Sequence, residues 1–474
     1  MKAYCVFFFI AVAAASITIS DPADIIPESQ WASDNAIMAD YNVSTEAVQR
    51  IAQVGPYMVR SQQKRSHHTT LEVDRNDTSV LVATRHANVH VHVDHSEIIK
   101  FGYSSNLIQA SFYGVNSAVL VANNSQLHLS DVNITTHNGA ANVYAYGTGS
   151  VAYVDNAWTY SSGLTAHGLY AAGNATIYAK NVHHFTAVLL FLGITAGYLY
   201  IEDSVAHTTG IGSAIAFVVK HVNLTNGHAV ATNCDLTAGL LGGAVIFTIS
   251  KETQAYPFQF TLDHTRLRVM GDAPGLWFGA VYADSYIRNS QIITESGILA
   301  VANFSTITEA FIFYSDYASS GDIVATADSR VYVEESSLAG DLVAYNGSTL
   351  GFSLEKHSHW SGKAYVGYGE AELAVSLDKR SGWNLTGDTA LKNFPNADMS
   401  FSNVESNGFS ITYDPDAPAN KPLEDEPYGS GEKLKVQKYL QHEGGTSVNR
   451  QQAKPQLHRS NTIYTWSTVL TSIY

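Results

Sequence analysis

Histidine and tyrosine side chains recur at one position of several short, alternating segments of this chain. The segments are "NVHVHVDH", "SQLHLSDVNITT", "SVAYVDNAWTYS", "ATIYAKNVHHFT" and "GYLYIEDSVAHT". Aligned, they give a row that we call the aromatic ladder, which consists of His92, His128, Tyr153, Tyr178 and Tyr200. Imidazole and phenol groups donate and accept hydrogen bonds and can transfer protons. The ladder therefore predicts either a ligand-binding surface or a set of acid–base groups.

Two further rows follow from the same alignment. The first, which we call the charged row, consists of Asp94, Ser130, Asp155, Lys180 and Glu202. The second comes from the segments that precede the aligned ones and consists of Leu120, Tyr144 and Tyr170. Neighbouring parallel strands lie about 4.8 Å apart, so each row would be continuous in space. Alternation predicts that all three rows point away from the core.

The elements that would position these rows are short strands in a repeat. The last four segments begin at residues 125, 150, 175 and 197, and each repeat leaves room for two or three strands of four or five residues but not for a helix. Such a pattern predicts an all-β, right-handed parallel β-helix over residues 78–415, in which each turn pairs with the turns above and below it. The predicted inward residues are Leu127, Leu129, Ala152, Val154, Leu169, Ala171, Ile177, Ala179, Leu199 and Ile201.

The stretch from Ser111 to Asn181 resembles the repeats of secreted right-handed parallel β-helix, adhesin-like proteins. It contains "NSAVLV", "AYGTG" and "HGLYA" in the order found in those proteins. The resemblance covers residues 78–415 and weakens after about residue 250. It implies the fold and exposure at a surface, and it brings no catalytic residues with it. This chain departs from the family by placing aromatic residues and histidines where Thr, Ser, Asn or Val are usual.

The two ends differ in composition from the repeat. Residues 1–20, "MKAYCVFFFIAVAAASITIS", have the layout of a signal peptide, residues 21–77 form a polar leader, and residues 416–474 form a polar tail predicted to be disordered. Together with nine Asn-x-Ser/Thr sequons, this predicts a glycoprotein that is secreted or lies in the secretory pathway of a eukaryote such as a fungus. The sequons are at Asn42, Asn76, Asn123, Asn133, Asn174, Asn223, Asn303, Asn346 and Asn384.

Charge and motifs narrow the set of partners. A net charge of −15 argues against nucleic acid and anionic membranes, and no apolar run after residue 20 is long enough to span a membrane. We expect no organic cofactor. His90, His92 and Asp94 share one face of a strand, but the outermost two lie about 13 Å apart along it, so we predict no metal site from them. The oligomeric state is left open.

Two functions remain. The first is binding of a glycan or a planar organic ligand on the ladder, and the predicted ligand-binding residues are His92, Tyr144, Tyr170, Tyr200 and Glu202. The second is a cofactor-independent lyase, isomerase or cyclase that acts on a polysaccharide or a secondary metabolite, and its predicted catalytic residues are His128, Tyr153, Asp155, Tyr178 and Lys180. A third possibility is purely structural, since stacked aromatics stabilise a sheet and an aromatic row can lie beneath a loop in a second small core. A concave groove would favour the enzyme, and a flat row would favour binding.

Overall fold

The chain forms a parallel β-solenoid of about 11 turns, which confirms the predicted all-β architecture. The computed structural model describes residues 52–423 and 435–438, except for 61–63, 85–89, 103, 105–109, 111–112, 138–140, 163–166, 187–196, 210–213, 219, 226, 235–241, 248–255, 306–324 and 346. The predicted signal peptide, residues 1–20, lies outside the described residues. A 3-10 helix, Pro418–Leu423, follows the last turns.

The strands of the described residues lie on three faces of the solenoid. Strands of the first face are Tyr57–Val59, Leu81–Ala83, Val119–Ala122, Ala141–Tyr146 and His167–Ala172, and then Ala216–Val218, Ala244–Phe247, Leu276–Gly279, Ile298–Ser305, Asp341–Tyr345 and Ala364–Tyr368. The antiparallel strand Ala325–Thr326 pairs with the end of Ile298–Ser305. The remaining pairings named for this face are parallel, as the repeat predicts.

The second and third faces are formed by strands that follow one another around a corner. Four long strands cover both faces in one piece, and they are His90–Phe101, Gln126–Thr136, Val151–Ser161 and Thr176–Thr186. Elsewhere the two faces have separate strands, which are Lys64–His67, Thr70–Asp74, Tyr198–Glu202, Val205–Thr209, His221–Thr225, His228–Cys234, Phe258–Asp263, Arg266–Gly271, Tyr282–Arg288, Gln291–Thr294, Asp328–Glu334, Ser337–Ala339, Thr349–Glu355, His359–Gly362, Glu372–Leu377, Gly382–Leu385 and Val404–Glu405. The C-terminal end carries a three-stranded sheet, Thr389–Leu391, Ser410–Tyr413 and Lys435–Lys438.

The solenoid extends beyond the predicted boundaries at both ends. Tyr57–Val59, Lys64–His67 and Thr70–Asp74 pair with the turn that follows them, so the first turn lies within the predicted leader rather than after residue 78. At the other end, Lys435–Lys438 pairs with Ser410–Tyr413 although it belongs to the predicted tail. Residues 439–474 of that tail lie outside the described residues.

One residue in the left-handed conformation turns the chain from the second face to the third. The φ angles of these corner residues lie between 45° and 53°, and the residues are His68, His95, Asp131, Asn156, Asn181, Asp203, His264, Asn289 and Glu335. Asn, Asp and His tolerate this conformation better than other residues with a Cβ, which explains why they predominate at the corners. Neighbouring corners are also bonded, since Asn181 Nδ2 donates to Asn156 Oδ1 over 2.9 Å.

A buried hydroxyl lies directly after many of these corners, and we call the set the hydroxyl column. Ser96, Ser204, Thr265, Ser290 and Ser336 each follow one of the corners listed above, and Ser358 and Ser381 continue the set at the next two bends between strands. Ser290 is typical: its Oγ accepts a hydrogen bond from the Thr265 amide over 2.9 Å and donates to the Arg288 carbonyl over 2.6 Å. The hydroxyl thereby pairs backbone groups that the bend removes from the strand-to-strand ladder.

Replacing Ser290 by alanine is expected to lower the free energy of unfolding by about 1–3 kcal/mol, because the buried Thr265 amide and Arg288 carbonyl lose their partner. Urea denaturation followed by circular dichroism measures the change. Ser353→Ala is the matched control, since Ser353 is only half-buried and bonds to another side chain, Ser376. Equal losses in the two variants would contradict this role for the column.

The inside of the solenoid is apolar. The ten predicted inward residues, which are Leu127, Leu129, Ala152, Val154, Leu169, Ala171, Ile177, Ala179, Leu199 and Ile201, are each at most 3% exposed, which confirms the predicted orientation. They belong to one cluster that continues along the axis to Trp360, Trp383 and Leu423. Burying this stack of aliphatic side chains is the main favourable contribution to folding.

Candidate functional site

The aromatic ladder forms as the sequence predicts. His92 pairs with His128, His128 with Tyr153, Tyr153 with Tyr178, and Tyr178 with Tyr200. Successive ring centroids are 4.6, 4.4, 5.4 and 5.1 Å apart, and the rings are within 14° of parallel. Five turns of the second face thus present one continuous stack of aromatic rings.

The stack determines which part of each ring a ligand could reach. Because the rings face one another along the solenoid axis, their faces are largely occupied and their edges point outward. Tyr178 is the most open of the three ladder tyrosines, with 44% of its surface exposed, and His92 is also exposed. Burial and the neighbouring phenols of Tyr178 and Tyr198 raise the pKa of Tyr200, so its hydroxyl keeps its proton and remains a donor. The accessible surface is therefore a line of hydrogen-bonding ring edges.

The charged row runs beside the ladder in the predicted register. Asp155 pairs with Lys180, and Lys180 with Glu202. The Lys180 ammonium lies 3.4 Å from a carboxylate oxygen of Asp203 and 3.8 Å from one of Glu202. All three of these side chains are more than 40% exposed, so the ion pairs contribute little to stability and their charges remain available to a partner.

Tyr144 and Tyr170 form a row, but it is not a surface. Their rings stack 4.4 Å apart, and both residues are completely buried in a second apolar cluster outside the solenoid. Gly114 lies directly over Tyr144, where a Cβ would come within 2.5 Å of the ring. This corrects the prediction that Tyr144 and Tyr170 are outward ligand-binding residues, because neither side chain is exposed to a ligand.

The five residues predicted to be catalytic lie in two parallel rows rather than around one point. His128, Tyr153 and Tyr178 are successive rungs of the ladder, and Asp155 and Lys180 belong to the charged row. A cavity of about 480 Å³ is lined by the last turns, including Leu377, Phe394 and Met399, and by none of these five residues. Catalysis by them stays a prediction.

A second group of polar residues, which the sequence pattern does not predict, lies at the N-terminal end of the ladder. His67, Asp94 and His95 lie together at the corner between the second and third faces, with Arg65 and His68 beside them. His67 is 27 residues from Asp94, and only the register of the first turn brings them together. A count of turns that began at residue 57 would have aligned them.

The predicted sequons differ in their exposure. Asn76, Asn123 and Asn174 are exposed, whereas Asn133, Asn223 and Asn384 are half-buried. Asn303 is completely buried, so a glycan on its side chain is incompatible with this structure and the prediction for that sequon is wrong. Asn42 and Asn346 lie outside the described residues.

Neither a scan against models of known protein families nor a search of curated proteins finds a match to this chain. The resemblance to adhesin-like proteins and the predicted secretion accordingly stay predictions. Within the described part of the chain, no helix is both long and apolar enough to cross a membrane.

Proposed function

We propose that the protein is a secreted, glycosylated β-solenoid that binds an extended, uncharged glycan along the aromatic ladder. The observation behind this proposal is the unbroken stack of five aromatic rings from His92 to Tyr200 on an open face of the solenoid. The signal-peptide-like composition of residues 1–20 and the exposed sequons at Asn76, Asn123 and Asn174 support the secreted part of the proposal.

The chemistry of the ladder favours a glycan over a planar organic ligand. A planar ligand needs a free ring face, and the faces of the ladder rings are occupied by one another. A glycan instead needs donors and acceptors for its hydroxyl groups, which the phenol and imidazole edges supply. Since the edges repeat about every 4.8 Å along the axis, a chain of sugar units lying along the solenoid would meet several of them at once.

Charge limits the class of glycan. The protein has a net charge of −15, and Asp155, Glu202 and Asp203 all stand exposed beside the ladder. A polymer rich in uronic acid or sulfate would be repelled by these groups. A neutral or amino-bearing glycan is compatible with them, and Lys180 offers a donor in the same row.

The variant Tyr153→Ala/Tyr178→Ala tests the proposal. Losing two hydrogen-bonding edges from the centre of the ladder is expected to weaken glycan binding about 5- to 150-fold, because each net hydrogen bond contributes about 0.5–1.5 kcal/mol. Binding of the full chain to an array of neutral, amino-bearing and acidic polysaccharides, followed by calorimetry on the best ligand, measures the effect.

The chain offers a matched control for this experiment. Tyr286 and Tyr332 occupy the same row in later turns and stack 5.2 Å apart at 14°, but they stand apart from the ladder because Asn223 and Thr261 interrupt the row. Tyr286→Ala/Tyr332→Ala should bind glycan as the unmodified protein does. The proposal fails if no polysaccharide binds, if binding survives in Tyr153→Ala/Tyr178→Ala, or if planar aromatic compounds bind in place of glycans.

A further inference from the structure

Two successive turns bring imidazole and carboxylate groups together at the first corners of the solenoid. His67 ends the strand Lys64–His67 and is the register partner of Asp94 in the next turn. His95 follows Asp94 and is itself a corner residue, with φ of 47°, which directs its side chain away from the strand direction. His67 and His95 therefore approach the same carboxylate from two turns.

The distances suit a single metal ion. His67 Nδ1 lies 2.8 Å from Asp94 Oδ2, His95 Nδ1 lies 3.8 Å from the same oxygen, and one ligand atom from each of the three residues lies within 4.8 Å of the others. Ligands about 2.0–2.1 Å from a tetrahedral ion are separated from one another by about 3.3 Å. The two measured distances lie on either side of that value, so small side-chain rotations would complete the coordination.

The surroundings of the Asp94 carboxylate favour binding of a cation. Asp94 is only 9% exposed. Its Oδ2 atom faces both the Arg65 guanidinium and the His67 imidazole. Its Oδ1 atom is buried and has no hydrogen-bond partner among the residues that the structure describes. A second carboxylate, that of Asp131, lies 3.9 Å from His95 Nδ1.

We propose that His67, Asp94 and His95 form a binding site for a divalent transition-metal ion such as Zn²⁺. Two imidazoles and one carboxylate are ligands that Zn²⁺, Cu²⁺ and Ni²⁺ prefer over Ca²⁺ and Mg²⁺, which take oxygen ligands. Three protein ligands leave a fourth position for water or a partner group. The site differs from the one that the His90–His92 spacing suggested, because its second imidazole comes from a neighbouring turn.

Arg65 is the competitor for this site. Its guanidinium lies 3.1 Å from Asp94 Oδ2, the oxygen that also contacts His67. The Arg65 side chain is 75% exposed, so it can swing into solvent when a cation takes its place. Replacing Arg65 by alanine is accordingly expected to leave Zn²⁺ binding intact or to strengthen it.

Calorimetric titration of the full chain with ZnCl₂, after removal of metals with a chelator, tests the proposal. We expect one Zn²⁺ per chain, and a loss of affinity of at least about tenfold in His67→Gln and in His95→Asn, since even groups that only support a metal ligand cost that much when removed. Asparagine is chosen at position 95 because it tolerates the left-handed corner. The same additions should raise the melting temperature of the unmodified protein and not that of the two variants.

His264 provides the matched control. It is also a corner residue with φ of 47°, and its Nδ1 lies 2.7 Å from Asp263 Oδ1, but among the described residues no third metal ligand lies close enough to complete a site with this pair. His264→Asn should bind Zn²⁺ as the unmodified protein does. Electron paramagnetic resonance of the Cu²⁺-loaded protein should show two imidazole nitrogens and needs no variant. Absence of Zn²⁺ binding, equal losses in His264→Asn, or an all-oxygen Cu²⁺ spectrum would overturn the proposal.

Discussion

Lowering the pH from 7 to 5 is expected to reduce the free energy of unfolding by about 4 kcal/mol, because two buried histidines resist protonation. Burial lowers the pKa of His167 and of His184 from 6.5 to about 3. As the pH falls below 6.5, these imidazoles take up protons in the unfolded chain but stay neutral in the folded protein. The unfolded state therefore binds more protons in this window, and each histidine costs about 2 kcal/mol of stability at pH 5.

The variant His167→Phe isolates one half of this effect. Neither ring nitrogen of His167 has a hydrogen-bond partner among the described residues, and the ring packs 4.6 Å from that of Tyr170, so an apolar ring of similar size should be accommodated. Urea denaturation at the two pH values should show about half the loss seen in the unmodified protein. His359→Asn, at an exposed position, should show the full loss. The same pH dependence in all three proteins would refute the assignment to buried imidazole.

Replacing Trp383 by alanine is expected to cost about 3–5 kcal/mol, the range for removing a large aromatic side chain from a well-packed core. Trp383 is 1% exposed, and its ring stacks 4.7 Å from that of Trp360 inside the solenoid. Its indole nitrogen donates to the Gly362 carbonyl over 2.9 Å, so the variant also leaves that carbonyl without this donor. Guanidinium denaturation followed by tryptophan fluorescence and circular dichroism measures the loss.

Because each turn of a solenoid contacts mainly its neighbours, the damage should be local. Limited proteolysis is expected to release the turns that follow Trp383 before the rest of the chain is cut. Tyr332→Ala is the matched control, since Tyr332 is an outward, half-buried aromatic residue that stacks on Tyr286. It should lose no more than about 1 kcal/mol. Similar losses in the two variants would mean that the interior stack is not what holds the C-terminal turns.

The sequence predicted the ladder residue by residue because register in this fold has little freedom. A shift by one residue would turn every inward side chain of a strand outward, so like residues align over like residues. The partners of Tyr153 and Tyr178 could therefore be read from the repeat and are confirmed. Exposure could not be read in the same way. Tyr144 and Tyr170 follow the same rule of register, yet both are completely buried, with Gly114 packed over Tyr144.

Lys100 shows where alternation itself fails. Counting every second residue from Val91 places Lys100 outside, but the corner at His95 reverses the phase and turns Lys100 inward. It is completely buried, and its ammonium donates to the carbonyl groups of Arg75, Phe101 and Gly102. A single left-handed residue changes which side chains are inside for the rest of the strand, and histidine at that position gives only a weak signal for it.

The sequence does not predict the group formed by His67, Asp94 and His95 for a related reason. The first turn is short and polar, and its strand Lys64–His67 has the composition of a basic surface segment, so the sequence pattern places it in the leader rather than in the solenoid. Without that turn, Asp94 has no neighbour on its N-terminal side. Contacts at the end of a solenoid involve its terminal turn. The sequence of a terminal turn departs most from the repeat, so the repeat pattern predicts these contacts poorly.

The hydroxyl column has a consequence for how this molecule can change its length. Its hydrogen bonds join residues of successive turns at different separations in the sequence. The separation is 22 residues for Val182 and Ser204, 38 for Gly227 and Thr265, and 46 for Ser290 and Ser336. The same amide-to-hydroxyl hydrogen bond forms at the corner in all three cases, so extra residues are accommodated elsewhere in the turn. Insertions and deletions during evolution, or peptides grafted by an engineer, should be tolerated in those other segments and rejected at the corner. The corner is thus the part of the turn that keeps its geometry while the length of the rest of the turn varies.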